Sequence, residues 1–186
     1  MRVKTVDYDE LKTLCAELAS KVVSDGFVPD TVLGIRSGGT KIAAEIFSHM
    51  PSGSKLEECT PLRDASEKKK HLLGKVLKYM PLKMLDCLRV IEARSLFSHK
   101  RRSAIRAVDL PKGVGGSERI LVVDDAVDSG ATLEAVMAEL KRRFPAAKVK
   151  SAALTVTSTR PCIMPDYFLF HDEVLLRFPW SMDAKS

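Results

Sequence analysis

Apolar residues recur along the chain in two rhythms. Between residues 7 and 25, Leu11, Leu14, Cys15, Leu18 and Val22 stand three or four apart, the spacing that lines one face of a helix. Asp25-Gly26 and then Pro29-Asp30 end that helix in a turn. Thr31-Val-Leu-Gly-Ile35 is a short continuous apolar run and predicts a buried strand. Arg36-Ser-Gly-Gly39 reads as a loop, and residues 40–49 as a helix with Ile42, Ala43, Ile46 and Phe47 inward. Residues 51–61 read as a link. A helical pattern follows over 64–79, with Lys68, Lys69, Lys70, Lys75 and Lys78 on one face and Leu72, Leu73, Val76 and Leu77 on the other; Pro81 stops it.

The second half alternates in the same way. Residues 88–93 predict a strand, and 95–118, polar and ending in Gly113-Val-Gly-Gly116, a flexible loop or a hairpin. Residues 119–123 predict a strand, 131–143 a helix closed by Phe144-Pro145, and 149–156 another strand. Residues 167–170 and 174–178 predict two short strands near the end. Strands alternating with helices imply an α/β fold with a doubly wound, mainly parallel sheet. The expected organisation is a single domain over 1–186, with a helical insertion at 51–87, a flexible loop at 95–118 and a small C-terminal hood at 160–186. In such sheets ligands bind beyond the C-terminal ends of the strands. Both glycine- or acid-rich loops, 36–39 and 124–132, fall there.

Composition narrows the class. The 186 residues are 45% hydrophobic and 29% charged, as expected of a soluble globular chain. No apolar run approaches the ~18 residues of a membrane span, and the N-terminus has no apolar leader, so a cytoplasmic location is expected. The net charge is +6, concentrated at Lys68–Lys70 and Lys100–Arg102. Aromatic residues do not interleave with these runs, and nucleic-acid binding is not expected. The four cysteines are scattered without a Cys-x-x-Cys pair and read as reduced thiols; the four histidines show no metal spacing.

The chemistry concentrates in Ile120-Leu-Val-Val-Asp-Asp-Ala-Val-Asp-Ser-Gly-Ala-Thr132. An apolar strand stops at Asp124 and Asp125. Asp128 follows, and Ser129-Gly130-Ala131-Thr132 opens a helix. Backbone N–H groups at such a helix start attract a phosphate, and adjacent carboxylates suit vicinal sugar hydroxyls. The same strand could carry a Walker-type Mg²⁺ aspartate, but that needs a Gly-x4-Gly-Lys-Ser/Thr loop upstream. Gly34 to Lys41 has Thr before Lys and misses it. For Asp128 two roles remain open, a general base and a helix N-cap.

This motif resembles the phosphoribosyl pyrophosphate (PRPP) site of type I phosphoribosyltransferases. With Pro165-Asp-Tyr-Phe168 and Arg177-Phe-Pro-Trp180 the chain is most similar to bacterial and archaeal xanthine/hypoxanthine-guanine, that is 6-oxopurine, members. The resemblance implies transfer of the 5-phosphoribosyl group from PRPP to a nucleobase, with release of pyrophosphate and with Mg²⁺ as cofactor. It implies Asp124 and Asp125 on the ribose hydroxyls, directly or through Mg²⁺. Ala126, Val127, Ser129, Gly130, Ala131 and Thr132 would cradle the 5′-phosphate, and Asp128 would act as general base. Arg36, Ser37, Gly38 and Gly39 would bind pyrophosphate, and Lys100, Arg101 and Arg102 would close over it. The partners implied are PRPP and a nucleobase, in a homo-oligomer, dimer or tetramer. The departures all touch the base. The lysine that reads a 6-oxo group falls on Thr157, or on Arg160 across a gap; the aromatic platform falls on Leu175; and the acid after Phe-Pro-Trp is Ser181. They leave open a non-purine acceptor or a PRPP- or nucleotide-sensing protein.

Overall fold

A computed structural model describes residues 2–63, 105–172 and 174–181. In chain order the elements are β1 (Arg2–Thr5), α1 (Tyr8–Ser24), β2 (Thr31–Ile35), α2 (Gly38–Phe47), β3 (Lys55–Arg63), β4 (Ile105–Asp109), a 3-10 turn (Lys112–Val114), β5 (Arg119–Val127), α3 (Ala131–Arg143), β6 (Lys148–Val156), β7 (Tyr167–His171) and β8 (Val174–Arg177). Six strands form one sheet in the order β4-β3-β2-β5-β6-β7, parallel throughout except for the antiparallel β3–β4 pair. The order runs outward in both directions from β2 and β5. Their junction is the switch point, where loops diverge to opposite faces and leave a crevice.

The strands feed two cores. On one face Val32, Leu121, Val123, Ala152 and Leu154 pack with Leu14, Leu18 and Val22 of α1 and Ile42 and Ile46 of α2. On the other, Leu33, Ile35, Ile120, Val122 and Ala153 pack with Leu133, Val136 and Leu140 of α3. The alternation Ile120/Leu121/Val122/Val123 follows the two-residue period of a strand covered on both sides. This three-layer arrangement is the expected doubly wound sheet.

Three expectations need correction, and the rest of the insertion falls outside the described residues. Residues 55–63 belong to no link or helical insertion; they form β3, paired in parallel with β2 from Thr31↔Lys55 to Ile35↔Cys59. Residues 105–109 are not loop but the strand β4, paired with β3. The expected helix 64–79 and strand 88–93, and most of the insertion 51–87, lie outside the described residues. The hood is smaller than 160–186, because β7 extends the main sheet beside β6. Its strand β8 pairs instead with β1, Arg2↔Val174 to Thr5↔Arg177.

The β1–β8 ribbon is tied to the main sheet at the end nearest the switch point. Thr155 Oγ1 donates to the Val174 carbonyl at 2.8 Å, and the Asp172 N–H to the Val156 carbonyl at 2.8 Å. At the opposite end Lys150 Nζ donates to Tyr167 Oη at 2.8 Å and pairs with Asp25 at 2.5 Å, joining the end of α1 to β6 and β7. Thr155→Val keeps the side-chain shape but strands the buried Val174 carbonyl. It should cost about 1–3 kcal/mol in urea unfolding; a neutral result would mean that this bond does not hold the ribbon.

Candidate functional site

Two loops meet at the switch point. β2 ends at Ile35, the Arg36 N–H donates to the Cys59 carbonyl at 2.9 Å, and the Arg36–Ser37 peptide is cis. α2 starts at Gly38, two residues earlier than expected. On the neighbouring strand, β5 runs through Asp124 and Asp125 to Val127. The loops touch: a Cβ on Gly38 would overlap the Asp125 carboxylate. One on Gly39 would stand 2.6 Å from the Val123 carbonyl and 3.0 Å from Asp124 Oδ1. Only glycines let α2 start so close to the acids.

Neither N-cap residue of the two helices that open here bonds its own helix's amides, although Ser129 Oγ accepts from the Ala131 N–H of α3 at 3.4 Å. Ser37 makes no side-chain bond to the α2 amides, nor does Gly130, the N-cap residue, to those of α3. By contrast α1, which starts elsewhere, is capped by Asp7, whose Oδ1 accepts from the Glu10 N–H at 2.8 Å. Two helix N-termini opening at one crevice suit a ligand carrying two anionic groups.

Between them sit the acids. The Asp125 N–H donates to Asp124 Oδ1 at 2.9 Å, and the Ala126 N–H to Asp125 Oδ1 at 3.0 Å. Burial, and then the adjacent Asp125 carboxylate, push Asp124 well above the ordinary aspartate range. Burial also pushes Asp125 up, against the hydrogen bonds that favour its charged form. The pair titrates as a unit. Such a pair is relieved by a cation or by hydroxyl donors. Mg²⁺ is commonly held by one or two carboxylates together with substrate oxygens and water. Asp124 and Asp125 fit that mode. A cage made by the protein alone is absent among the described residues, where no three His, Cys, Asp or Glu gather.

Asp128 lies beyond the pair and is exposed. It does not cap α3. The N-cap residue is Gly130, in a left-handed conformation at φ 83°. The Asp128 carboxylate instead accepts a hydrogen bond from Thr157 Oγ1. Thr157, 2% exposed, continues β6 and is fixed by its own N–H, which donates to the Val127 carbonyl at 3.0 Å. Segment 160–163 covers the loop before α3. The Cys162 N–H donates to the Ser129 carbonyl at 2.9 Å, and a Cβ on Gly130 would lie 3.1 Å from Cys162 Sγ. Gly130 is therefore required twice, by backbone conformation and by space.

The remaining expected residues divide. Arg36 is at the crevice but engaged, its guanidinium 3.0 Å from Glu58 on β3. Lys100, Arg101 and Arg102 lie outside the described residues. Arg160 is exposed, and its N–H donates to Ser158 Oγ at 3.2 Å. Leu175 is half-buried on β8. Ser181 Oγ accepts the Phe178 N–H at 3.1 Å, and Trp180 stacks on Phe178 at 5.0 Å with Lys41 Nζ 4.6 Å from its ring centroid. Trp180 is thus a packing anchor for the ribbon. Glu58 and Cys162 were not anticipated. Both reach the crevice by tertiary pairing alone, with no motif to mark them. Cys15 and Cys59 are buried and unbridged, with thiols pushed to about 12 chiefly by burial, as reduced structural cysteines should be.

A family model for the phosphoribosyl transferase domain matches residues 7–180. Among solved structures, the purine phosphoribosyltransferase from Pyrococcus horikoshii Ot3 is similar with a TM-score of 0.62 and 23% identity, over 97% of this chain and 95% of that one. The Helicobacter pylori xanthine-guanine-hypoxanthine phosphoribosyltransferase is similar with a TM-score of 0.65 and 20% identity, over 96% and 91%. A hypothetical protein from Neisseria gonorrhoeae, with bound ppGpp, is similar with a TM-score of 0.57 and 16% identity, over 97% and 90%. At these identities the likeness is one of fold. No curated protein matches the chain in sequence.

Two substitutions test the geometry without any ligand. Gly→Ala in a helix ordinarily stabilises by about 0.4–1 kcal/mol. Gly38→Ala should instead destabilise by about 1–3 kcal/mol in urea unfolding, because its methyl meets Asp125. A stabilised variant would contradict the contact. Asp125→Asn reports the charge stress. The folded acids hold protons to higher pH than the unfolded ones, so stability falls as pH rises from about 4 upward. In chelator, Asp125→Asn should melt higher than wild type at pH 7, and the gain should vanish near pH 3.5. A variant no more stable at pH 7 would remove the claim of stress.

Proposed function

The chain belongs to the phosphoribosyl transferase domain family and is a phosphoribosyltransferase, and from that premise we propose that it transfers the 5-phosphoribosyl group of PRPP to a 6-oxopurine or related base in nucleotide salvage. The observation that carries this reading is the pair of helix N-termini that open beside a half-buried pair of adjacent carboxylates. PRPP has matching parts: a diphosphate, a phosphate, and two ribose hydroxyls between them.

On this reading the amides of Gly38 and Gly39, with Ser37 and Arg36, receive the diphosphate. Arg36 leaves Glu58 to do so, or shares its charge between them. Residues 126–132 receive the 5′-phosphate through backbone N–H groups, supplemented by Ser129 and Thr132. Asp124 and Asp125 hold the ribose 2′- and 3′-hydroxyls and would be the protein's ligands to Mg²⁺. Bound there, Mg²⁺ supplies charge neutralisation for the departing diphosphate. The acceptor's ring nitrogen forms a bond to C1′ as the bond from C1′ to the diphosphate oxygen breaks, its electrons leaving with pyrophosphate. Asp128 takes the proton that the acceptor loses. It is exposed and free of helix-capping duty, which supports that role. Lys100, Arg101 and Arg102 would add positive charge over the diphosphate. Leu175 would offer an apolar face to the base, and Arg160 a polar one at its edge.

The purine assignment draws on the printed names of the Pyrococcus and Helicobacter proteins and on Phe178-Pro-Trp180. A second reading, a nucleotide-binding protein without transfer, is favoured by Leu175 and Thr157 at the base-reading positions and by the Neisseria likeness. Location in the cytoplasm and homo-oligomerisation belong to the proposal. Among the described residues no helix is long and apolar enough to cross a membrane.

Asp128→Asn separates the readings. Pyrophosphate release with PRPP, Mg²⁺ and hypoxanthine, guanine or xanthine should fall by about 10²–10⁴-fold. The calorimetric affinity for PRPP should not change. Equal loss of both would make Asp128 structural, and a wild type that binds PRPP yet releases nothing would favour the second reading.

A further inference from the structure

Thr157 stands at the base-reading position, but its surroundings describe another task. Its side chain is 2% exposed, so a ligand in the crevice meets almost none of it. A hydroxyl has one proton, and this one is donated to Asp128 Oδ1. The backbone around it is pinned on both sides. The Thr157 N–H bonds to the Val127 carbonyl at the end of β5, and Thr155 Oγ1 bonds to the Val174 carbonyl under the ribbon. Asp128 has the opposite character. It is exposed, sits between β5 and α3, and takes no part in capping the helix that follows. Among the described residues, the Thr157 hydroxyl is the side-chain partner of its carboxylate.

We infer that Thr157 is a positioning residue for the transfer step: its hydroxyl fixes Oδ1 of Asp128 and leaves Oδ2 to receive the acceptor's ring proton. This rests on the reading of Asp128 as the proton acceptor. The physical reason is orientational. An exposed aspartate rotates freely about χ1 and χ2, and proton transfer needs the oxygen within about 2.6–3.2 Å of its donor. A hydrogen bond to one oxygen from a rigid strand end removes that freedom before the acceptor arrives, and placement of this kind is worth about 10²-fold in rate when lost by an ångström. A proton spent on Asp128 is also not available to an exocyclic carbonyl. Thr157 therefore selects the acceptor only through the carboxylate it aims.

The test uses Thr157→Val, which keeps the shape and removes the hydroxyl, and Thr157→Ser, which keeps the hydroxyl. In the full chain, Thr157→Val should lower kcat for pyrophosphate release by about 10- to 100-fold. KM for PRPP and its calorimetric affinity should stay at the wild-type values. Thr157→Ser should restore most of kcat. A double-mutant cycle in urea supplies a readout without turnover. Thr157→Val should lower the unfolding midpoint in the wild-type background and leave it unmoved in Asp128→Ala, which removes the acceptor oxygen, if the two side chains act as a pair. Wild-type kcat in Thr157→Val, a Ser variant no better than Val, or additive effects in the cycle would each overturn the inference while leaving transfer itself standing. A wild type that turns over no acceptor would overturn the transfer reading and this role together.

Discussion

Everything at the crevice depends on how closely α2 approaches the end of β5. Gly38 and Gly39 bring the first turn of a helix against Asp125, Asp124 and the Val123 carbonyl. A side chain at either position would push the loops apart. The closeness places positively polarised helix amides beside carboxylates that burial, and at Asp124 the neighbouring Asp125, have made reluctant to ionise. The ligand-free protein thus carries an electrostatic tension that a polyanion with hydroxyls and a divalent cation would relieve. Charge is offered in both signs within one small volume, and PRPP carries the complement of both.

The scaffold keeps this tension local. Behind the crevice β2 and β5 are buried on both faces, and the residues that flank the acids, Val122, Val123 and Val127, are packed. Where the chain can cap a helix without consequence, it does, as Asp7 does for α1. At α2 the N-cap residue Ser37 makes no such bond, and at α3 the N-cap residue is Gly130, a cap weaker by about a few tenths of a kcal/mol. The β1–β8 ribbon is held by Thr155, two residues before Thr157 on the same strand, and by the Phe178–Trp180 stack.

Much of this was legible in the sequence. β2 and β5 are continuous apolar runs and α3 spans its expected residues, because burial on both faces and a clean helical period leave strong signals. The acid-ended strand and glycine loop were legible for the same reason. β3 was not. Its Leu56 and Leu62 are 41% and 49% exposed, so no alternation marks it, and Pro51, Ser52 and Gly53 just before it suggest a link. β1 is four largely uncovered residues whose partner stands at the other end of the chain; pairing of that range has no local signature. The start of α2 was displaced because glycine is a poor helix former, and the contact with Asp125 overrides propensity. The surroundings of Asp128 were not legible because its carboxylate bonds Thr157, 29 residues away, through a hydrogen bond that no spacing predicts.

The measurement that bears most directly on the account is identification of the product by mass spectrometry. The protein would be incubated with PRPP and Mg²⁺ against a panel of hypoxanthine, guanine, xanthine, adenine, uracil and orotate. The account predicts the nucleoside 5′-monophosphate of a 6-oxopurine, formed in step with pyrophosphate and lost when Mg²⁺ is chelated. A pyrimidine nucleotide would keep the cradle and contradict the purine assignment. No nucleotide from any base, with PRPP bound or unbound, would contradict the claim that this crevice transfers the phosphoribosyl group to a nucleobase.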